Sequence, residues 1–565
     1  MFPDREHRDC RRFLSNRQTP LPDEHSATRH TASGIGDTVR SRLHLSDSGD
    51  TPTQPGGQSP TQRDSLWTHD SLPSDLSVTV VGGGFGGLAA AAHLAGAGAD
   101  VQLLERHDSL GGRAGVLERE GFSFETGPSW YLMHDIFERF FGQFDREPAD
   151  YYGLEQLDPQ YRVFWKDGDS VTVAPDRANI HEIFERYEDG AGEALTAYLD
   201  AAERNYDLAM SRVIYPGRTR FRDYLDTDML PLAPRWRLFT TMDDYVSRYV
   251  EHPKLRQLLE YTLVFLGSAP HNTPALYSIM SHVDLNGNVF YPDGGITGVV
   301  DAVATLAREQ GVTIETGQEV RDIAGRAGSF EVTTGTGTRH TDLVVSNANP
   351  AYAERELLDP AARDHNPDYW DDQTYAPGAF MLYLGVKGDV DPLEHHTLVF
   401  PTDWDPHFEH IFDDPAWPDD PAYYISVPSM TDDSVAPDGH HTVVLLLPIA
   451  PGLPDGPEIR AEYRDRLLES MAEDTGVDLR GRIVVEEDAC ISEFAERYDD
   501  PDGTALGLAH TLFQTGPFRP SVRAGLDGLY YAGAYTSPGI GMPMCLLSGE
   551  YVTRAVLDDY PSVLD

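Results

Sequence analysis

The chain has 565 residues and carries 92 acidic side chains against 44 lysines and arginines, a formal net charge of −48. Such a field repels polyanions, which excludes nucleic acid as a partner and rules out basic patches as a means of holding anionic lipid. Only three lysines occur, Lys166, Lys254 and Lys387, and an acid-rich, lysine-poor balance of this kind suits concentrated salt and a halophilic source.

Residues 1–75 are rich in Ser, Thr, Pro, Asp and Arg, show neither helical nor strand periodicity, and are expected to form a disordered N-terminal tail. They hold 9 Arg against 11 acids, so −46 of the charge belongs to the remaining 490 residues. From Ser77 a β-branched run, Val78 to Val81, predicts a strand; a glycine cluster breaks it, an alanine-rich stretch predicts a helix, and residues 101–104 predict a second strand. Gly82, Gly84 and Gly87 fill the three glycines of G-x-G-x-x-G. The first permits the tight turn, the second lets backbone approach a pyrophosphate, and the third lets helix pack on strand. The helix N-terminus then turns free N–H groups toward the phosphates. Glu105 closes the second strand about 20 residues on, where a carboxylate accepts hydrogen bonds from ribose hydroxyls. Leu110, Gly111, Gly112 and Arg113 follow in one loop.

Residues 121–144 read as a short strand, a Gly-Pro turn and an amphipathic helix with Ile136, Phe137, Phe140 and Phe141 on one side. YRVFWKDGDSVTV, from Tyr161, predicts a hairpin turning at Asp167 and Gly168. Long helical patterns then run to about Leu266 and predict an α-rich insertion. YPDGG, residues 291–295, launches a helix whose inner face is Ile296, Val299, Val300, Val303, Leu306 and Ala307, ended by Gly311. VTIETG and EVRDIAG are short strands, and LVVSNANP is an apolar strand that suits a return to the central sheet. Between about 351 and 520, the segments AFMLYLGV, HTLVF, AYYISVP and HTVVLLLPIA predict a sheet with one broad apolar face, and a helix covers 458–471. The pairs His395/His396 and His440/His441 lack metal-ligand spacing and are expected at the solvated surface, so no metal site is predicted. Residues 529–557 predict a strand, a Gly/Pro loop and a helix beginning at Pro543.

Cys10, Cys490 and Cys545 are too scattered for a disulfide framework, which places the chain in a reducing, cytoplasmic compartment. No run of about 18 apolar residues spans a bilayer, so membrane contact is expected to be peripheral.

Together VVGGGFGGL with LLER and LGGR, TGPSW, NTPALYSIMSHVD before YPDGG, SNANP, FMLYLG, TDDSVAPDG, FQTGPFRP and YYAGAYTSPGIGMPMCLLSG resemble the bacterial-type phytoene desaturases, in order as well as content. The resemblance spans about residues 77–559. It implies an α/β fold, a Rossmann-type FAD-binding domain interleaved with a substrate-binding domain of mixed sheet plus α-rich insertion. Residues 77–160, 290–350 and 520–562 would form the first domain, and 161–289 with 351–519 the second. FAD is the implied cofactor, held by Gly82, Gly84, Phe85, Gly87, Glu105 and Arg106, by Gly112 and Arg113, and by Gly533, Gly541 and Met542. Tyr535, Ser537 and Ile540 depart from the closing motif's usual pattern.

The implied activity is desaturation of a linear C40 carotene, a hydride passing to flavin with loss of a proton. Asp200, with Arg204 nearby, matches a carboxylate suggested for acid/base work. The alternatives are 3,4-desaturation of a lycopene-derived intermediate, redox-neutral isomerisation, and an FAD-binding isoprenoid carrier. One fingerprint means one dinucleotide, so electrons are expected to leave to a quinone or oxygen. The apolar substrate calls for membrane contact through exposed apolar side chains; residues 236–266 are one candidate for them, and ordinary packing inside the α-rich insertion is the other reading of the same pattern. Self-repulsion among the acids is screened within about 3 Å at 1 M salt. The melting temperature is therefore expected to climb steeply from dilute to molar salt, and a salt-independent thermal scan would refute this.

Overall fold

The computed structural model describes residues 72–225 and 240–561. Residues 1–71 of the expected tail lie outside that range. The tail's end is shorter than expected, because Leu72 is buried and its N–H donates to Ala97 O at 2.8 Å.

Five parallel strands form the central sheet, in the order Leu529–Tyr531, Leu343–Ser346, Ser77–Val81, Asp100–Leu104, Thr313–Glu315. Val78, Thr79, Val80 and Val81 are all buried, the continuous pattern that a parallel sheet covered on both faces requires. The Phe85–Gly96 helix packs beside Gly295–Glu309 and Met542–Asp559 in one core. Its alanines serve that packing: a Cβ on Gly549 would lie 2.5 Å from Ala90 N, so the two helices meet backbone to backbone. Every residue expected on the inner face of the Gly295–Glu309 helix is buried there.

The second sheet has seven strands, ordered Ile483–Ala489, Gly378–Lys387, His440–Ile449, Tyr423–Ser426, His396–Phe400, Tyr161–Trp165, Ser170–Val173. The Tyr161–Trp165 strand pairs parallel with His396–Phe400 and antiparallel with its hairpin partner. The sheet is covered on both faces rather than one. Phe380, Leu382 and Leu384 pack with Tyr463, Leu467 and Met471 of the Pro457–Thr475 helix, while Met381 and Tyr383 pack with Phe122 and Phe124.

That coverage corrects the expected surface histidines. His395 and His396 are 5% and 0% exposed. His396 stacks on Trp130 at 4.1 Å and its Nδ1 bonds Tyr424 Oη at 2.6 Å, while His395 Nδ1 bonds Thr431 Oγ1 at 2.7 Å. His440 and His441 are half-buried, and His441 Nδ1 bonds Ser429 Oγ at 2.9 Å. No group able to hold a metal occurs among the described residues.

The helical pattern before Leu266 is broken into Met242–Val246, Pro253–Glu260 and a 3-10 turn, Tyr261–Leu266. Pro253 starts one helix under a His252 cap, and Gly267, at φ +68°, stops the turn. Leu255, Leu258, Leu259 and Leu263 all point into the core, so they offer no apolar surface to a membrane; residues 236–239 lie outside the described range. No helix among the described residues is long and apolar enough to cross a bilayer.

Arg519 is 3% exposed and donates to four carbonyls, those of Leu508, Gln514, Ala534 and Thr536. Burial lowers its pKa to about 10, so it stays a cation at neutral pH and clamps residues 508–519 to the closing loop. Arg519→Met would orphan these carbonyls, each costing about 1–3 kcal/mol. The variant is expected to lose at least about 3 kcal/mol of stability, read as a lower melting temperature in molar salt.

Candidate active site

The first strand turns into its helix within a few residues because Gly82 takes φ +100°, a conformation closed to most side chains. A Cβ on Gly87 would sit 2.0 Å from Gly82 O, so helix and turn touch through backbone alone. Gly84 is the helix N-cap, and its own Cβ would meet only Asn347 Nδ2 at 3.0 Å and Gly111 O at 3.9 Å. Gly112, at φ +60°, comes in beside it: a Cβ there would lie 3.5 Å from Gly84 Cα. Gly86 belongs with the three fingerprint glycines, since a Cβ would lie 2.7 Å from Gly533 N and 2.6 Å from Asn347 Oδ1. The run GGGFGG held that signal, although the motif itself does not require the position.

Glu105 is 5% exposed and anchored through both oxygens, Oε2 accepting from Gly83 N at 2.7 Å and Oε1 from His107 N at 2.8 Å. A carboxylate has about four acceptor positions, so two remain for ribose hydroxyls. Arg106 pairs with Asp499 and donates to Arg497 O. Arg113 pairs with Asp500, whose side chain is fully buried, and lies 5.5 and 5.9 Å from the Tyr498 and Tyr535 ring centres. Asp500 Oδ1 also accepts from Asn349 Nδ2 and Tyr535 Oη, each at 2.8 Å. Residues 497–500 thus form a strap that ties down the loop from Arg106 to Arg113. Sequence reasoning missed Asp499 and Asp500, which lie in no motif. Tyr535 was visible only as a departure from the closing pattern, and its hydroxyl explains the departure by reaching Asp500.

On the opposite side Gly533, at φ +100°, donates its N–H to Ser548 Oγ at 2.8 Å. Gly541, at φ +110°, caps the Met542–Asp559 helix, which starts one residue before the expected Pro543. His510 was also missed. Its Nε2 accepts from Ile540 N at 3.1 Å, so the proton sits on Nδ1, which donates to Tyr277 Oη at 2.8 Å; burial holds the ring neutral, far below its ordinary pKa. That Tyr277 hydroxyl also meets Thr515 Oγ1 at 2.6 Å.

Gly82, Gly84, Phe85, Glu105, Arg106, Gly112, Arg113, Gly533, Gly541 and Met542 all line one cavity of about 880 Å³, and Gly87 supports its floor through Gly82. Glycines that leave space bare of Cβ atoms, a helix N-terminus and an anchored carboxylate fit the diphosphate and ribose of FAD. The same cavity continues past Pro128 and Trp130 into a chamber walled by Val264, Phe265, Met280, Leu398, Phe400 and Trp404. The structure does not bring Asp200 and Arg204 to this cavity. Asp200 faces Arg177 at 3.3 Å with its side chain 45% exposed, and Arg204 is exposed, because both lie on the outer face of the Ala191–Ala209 helix.

A dinucleotide cradle opening into an apolar chamber defines an FAD-dependent oxidoreductase. The model of the flavin containing amine oxidoreductase family matches residues 85–557. A carotenoid 3,4-desaturase of Haloarcula japonica is 58% identical over 492 residues, 86% of this chain and 99% of that protein. A zeta-carotene-forming phytoene desaturase of Myxococcus xanthus is 33% identical over 494 residues, 85% of this chain and 93% of that one. An engineered putrescine oxidase superposes with a TM-score of 0.58 at 13% identity, covering 86% of this chain and 99% of that chain, which extends the likeness of fold. The chain belongs to the flavin containing amine oxidoreductase family, on the branch that holds these carotenoid desaturases.

Gly84→Asp would put a carboxylate against the diphosphate, where like charge and bulk both oppose binding. The purified variant is expected to be folded and colourless; stoichiometric flavin by absorbance would contradict the cradle.

Proposed function

We propose that the protein desaturates a linear C40 carotenoid, and that the bond it oxidises is the 3,4 bond of a lycopene-derived intermediate. The carrying observation is that one cavity joins the dinucleotide cradle to a chamber walled by apolar side chains. The 58% likeness to a carotenoid 3,4-desaturase favours the 3,4 position over the phytoene-type reaction, which the 33% relative keeps as the second reading.

Bound FAD supplies the acceptor for the hydride. The glycines and Glu105 would hold its diphosphate and ribose end. The Gly541–Met542 helix start brings positive partial charge to the cavity wall, which would favour a reduced, negatively charged cofactor there. A hydrocarbon offers nothing to hydrogen-bond, so it is recognised by burial, worth roughly 25 cal/mol per Å² of apolar surface. The same walls keep water from the electron-poor carbon left by hydride loss. A quinone or oxygen would take the electrons from the bound cofactor, and the substrate would enter from a membrane surface that the protein touches peripherally.

Anaerobic mixing of the FAD-loaded protein with lycopene, a hydroxylated lycopene derivative or phytoene in separate liposomes, at high salt, tests the reading. Flavin bleaching with a product two hydrogens lighter is the expected result, fastest with a lycopene-type substrate. An unbleached flavin with every carotenoid, or isomerisation without mass change after prior reduction, would reject it.

A further inference from the structure

The loop at residues 511–518 carries its polar side chain inward and its aromatic ones outward. Gln514 is buried, Oε1 accepting from Thr374 N at 2.8 Å and Nε2 donating to Thr374 O at 2.7 Å, and Arg519 just beyond is locked to four carbonyls. The two phenylalanines point the other way. Phe513 is 75% exposed and Phe518 50%, and their rings meet edge to face with centres 6.0 Å apart. Turning them inward would pull Gln514 and Arg519 from their partners and strand buried polar groups. Single apolar side chains on a surface are ordinary, but an aromatic pair held outward by anchored polar neighbours marks a contact site.

The same loop is where the apolar cavity meets the surface. Leu512, Gly516, Pro517 and Phe518 line that cavity, and Phe518 is exposed as well. Arg218, Thr219 and Tyr224 line it beside them, and a Cβ on Gly516 would lie 3.1 Å from Tyr224 Oη. Both segments lie in stretches without acids. Residues 208–222 and 503–526 contain no Asp or Glu, in a chain where 92 of 565 residues, about one in six, are acidic. The first stretch holds Arg212, Arg218, Arg220 and Arg222. Arg220 and Arg222 are exposed, and Asp223 at its end accepts from Arg220 N at 2.9 Å. The net charge of −48 therefore does not describe this face, whose sign is locally reversed.

We propose that residues 511–518 and 218–222 form the face that seats the protein on a lipid bilayer with anionic headgroups, Phe513 and Phe518 among the acyl chains and Arg220 and Arg222 at the phosphates. This deepens the desaturase reading and takes from it only the hydrocarbon nature of the substrate, which then passes from bilayer to chamber without crossing water. In molar salt charges are screened within about 3 Å, so the arginines act only in contact with headgroups. Salt leaves apolar burial intact or strengthens it, and the phenylalanines carry the affinity under those conditions. A carboxylate in the same place would meet like charge and lose its hydration, which accounts for the gap in the acids.

The test floats FAD-loaded protein with vesicles of phosphatidylglycerol and phosphatidylcholine, free of carotenoid, in molar salt. The wild type is expected to rise with the vesicles. Phe513→Ser is expected to lower the partition coefficient about tenfold, with FAD content and melting temperature unchanged. Arg220→Glu combined with Arg222→Glu is expected to lower it further as the phosphatidylglycerol fraction grows. In Phe513→Trp, the emission added to that of the wild type is expected to shift to the blue and to be quenched by brominated acyl chains. A wild type left at the bottom, Phe513→Ser floating like the wild type, or unquenched added emission would overturn the proposal. So would a wild-type dimer without lipid that Phe513→Ser dissociates, since the face would then join two copies. A second arm follows anaerobic flavin bleaching: Phe513→Ser is expected to match the wild type with carotenoid in detergent and to be about tenfold slower with carotenoid in liposomes. Equal slowing in both would contradict the membrane route. A wild type bleached in neither would overturn the desaturase reading, and flotation would still judge the face.

Discussion

Backbone meets backbone at the centre of this protein, and the rest of the site is arranged around that contact. The helix after the first strand touches the Gly82 carbonyl at Gly87 and the Gly533 amide at Gly86, at separations that no Cβ can enter. One short stretch of glycine therefore fixes three things: a turn shaped to receive a diphosphate, the seating of the helix on the sheet, and the approach of the distant loop at Gly533. The Ala90 and Gly549 contact between helices continues the same principle one turn further on.

Charge within the molecule follows a second rule, in which buried ions are matched by several fixed partners. Arg519 meets four carbonyls, and Asp500 meets Arg113, Asn349 and Tyr535. Such groups stabilise one geometry strongly because each alternative strands a desolvated charge. Asp284 and Glu260 depart from the rule, each buried with one carboxylate oxygen left without a hydrogen bond. The surface acids obey neither arrangement; many are solvated, and their mutual repulsion is relieved by salt.

The central sheet was legible because its signals are local. Val78 to Val81, the three glycines, Glu105, the Gly295–Glu309 helix and the return strand at Leu343 each announce themselves within a few residues, and parallel strands buried on both faces read as unbroken apolar runs. The strap was not legible: Asp499 and Asp500 lie about 390 residues from the arginines they meet, and nothing local marks an aspartate as a distant partner. His395 and His396 were misjudged for a related reason, since polarity suggested solvent while the aromatic surroundings of Trp130 and Tyr424 were assembled only by the fold. Asp200 was placed by likeness to a motif, and helix phase turns it away from the cavity.

The parallel sheet also bears on how the molecule is made. Its first strand, Ser77–Val81, lies between neighbours drawn from residues 100–104 and 343–346, and the outermost strand and the closing helix come only after residue 528. A ribosome working at about 5–20 residues per second needs on the order of a minute to travel from one to the other. Throughout that interval the glycine turn exists without its far wall. The nascent chain thus lacks one wall of the cofactor cradle until residues 529–559 have been made.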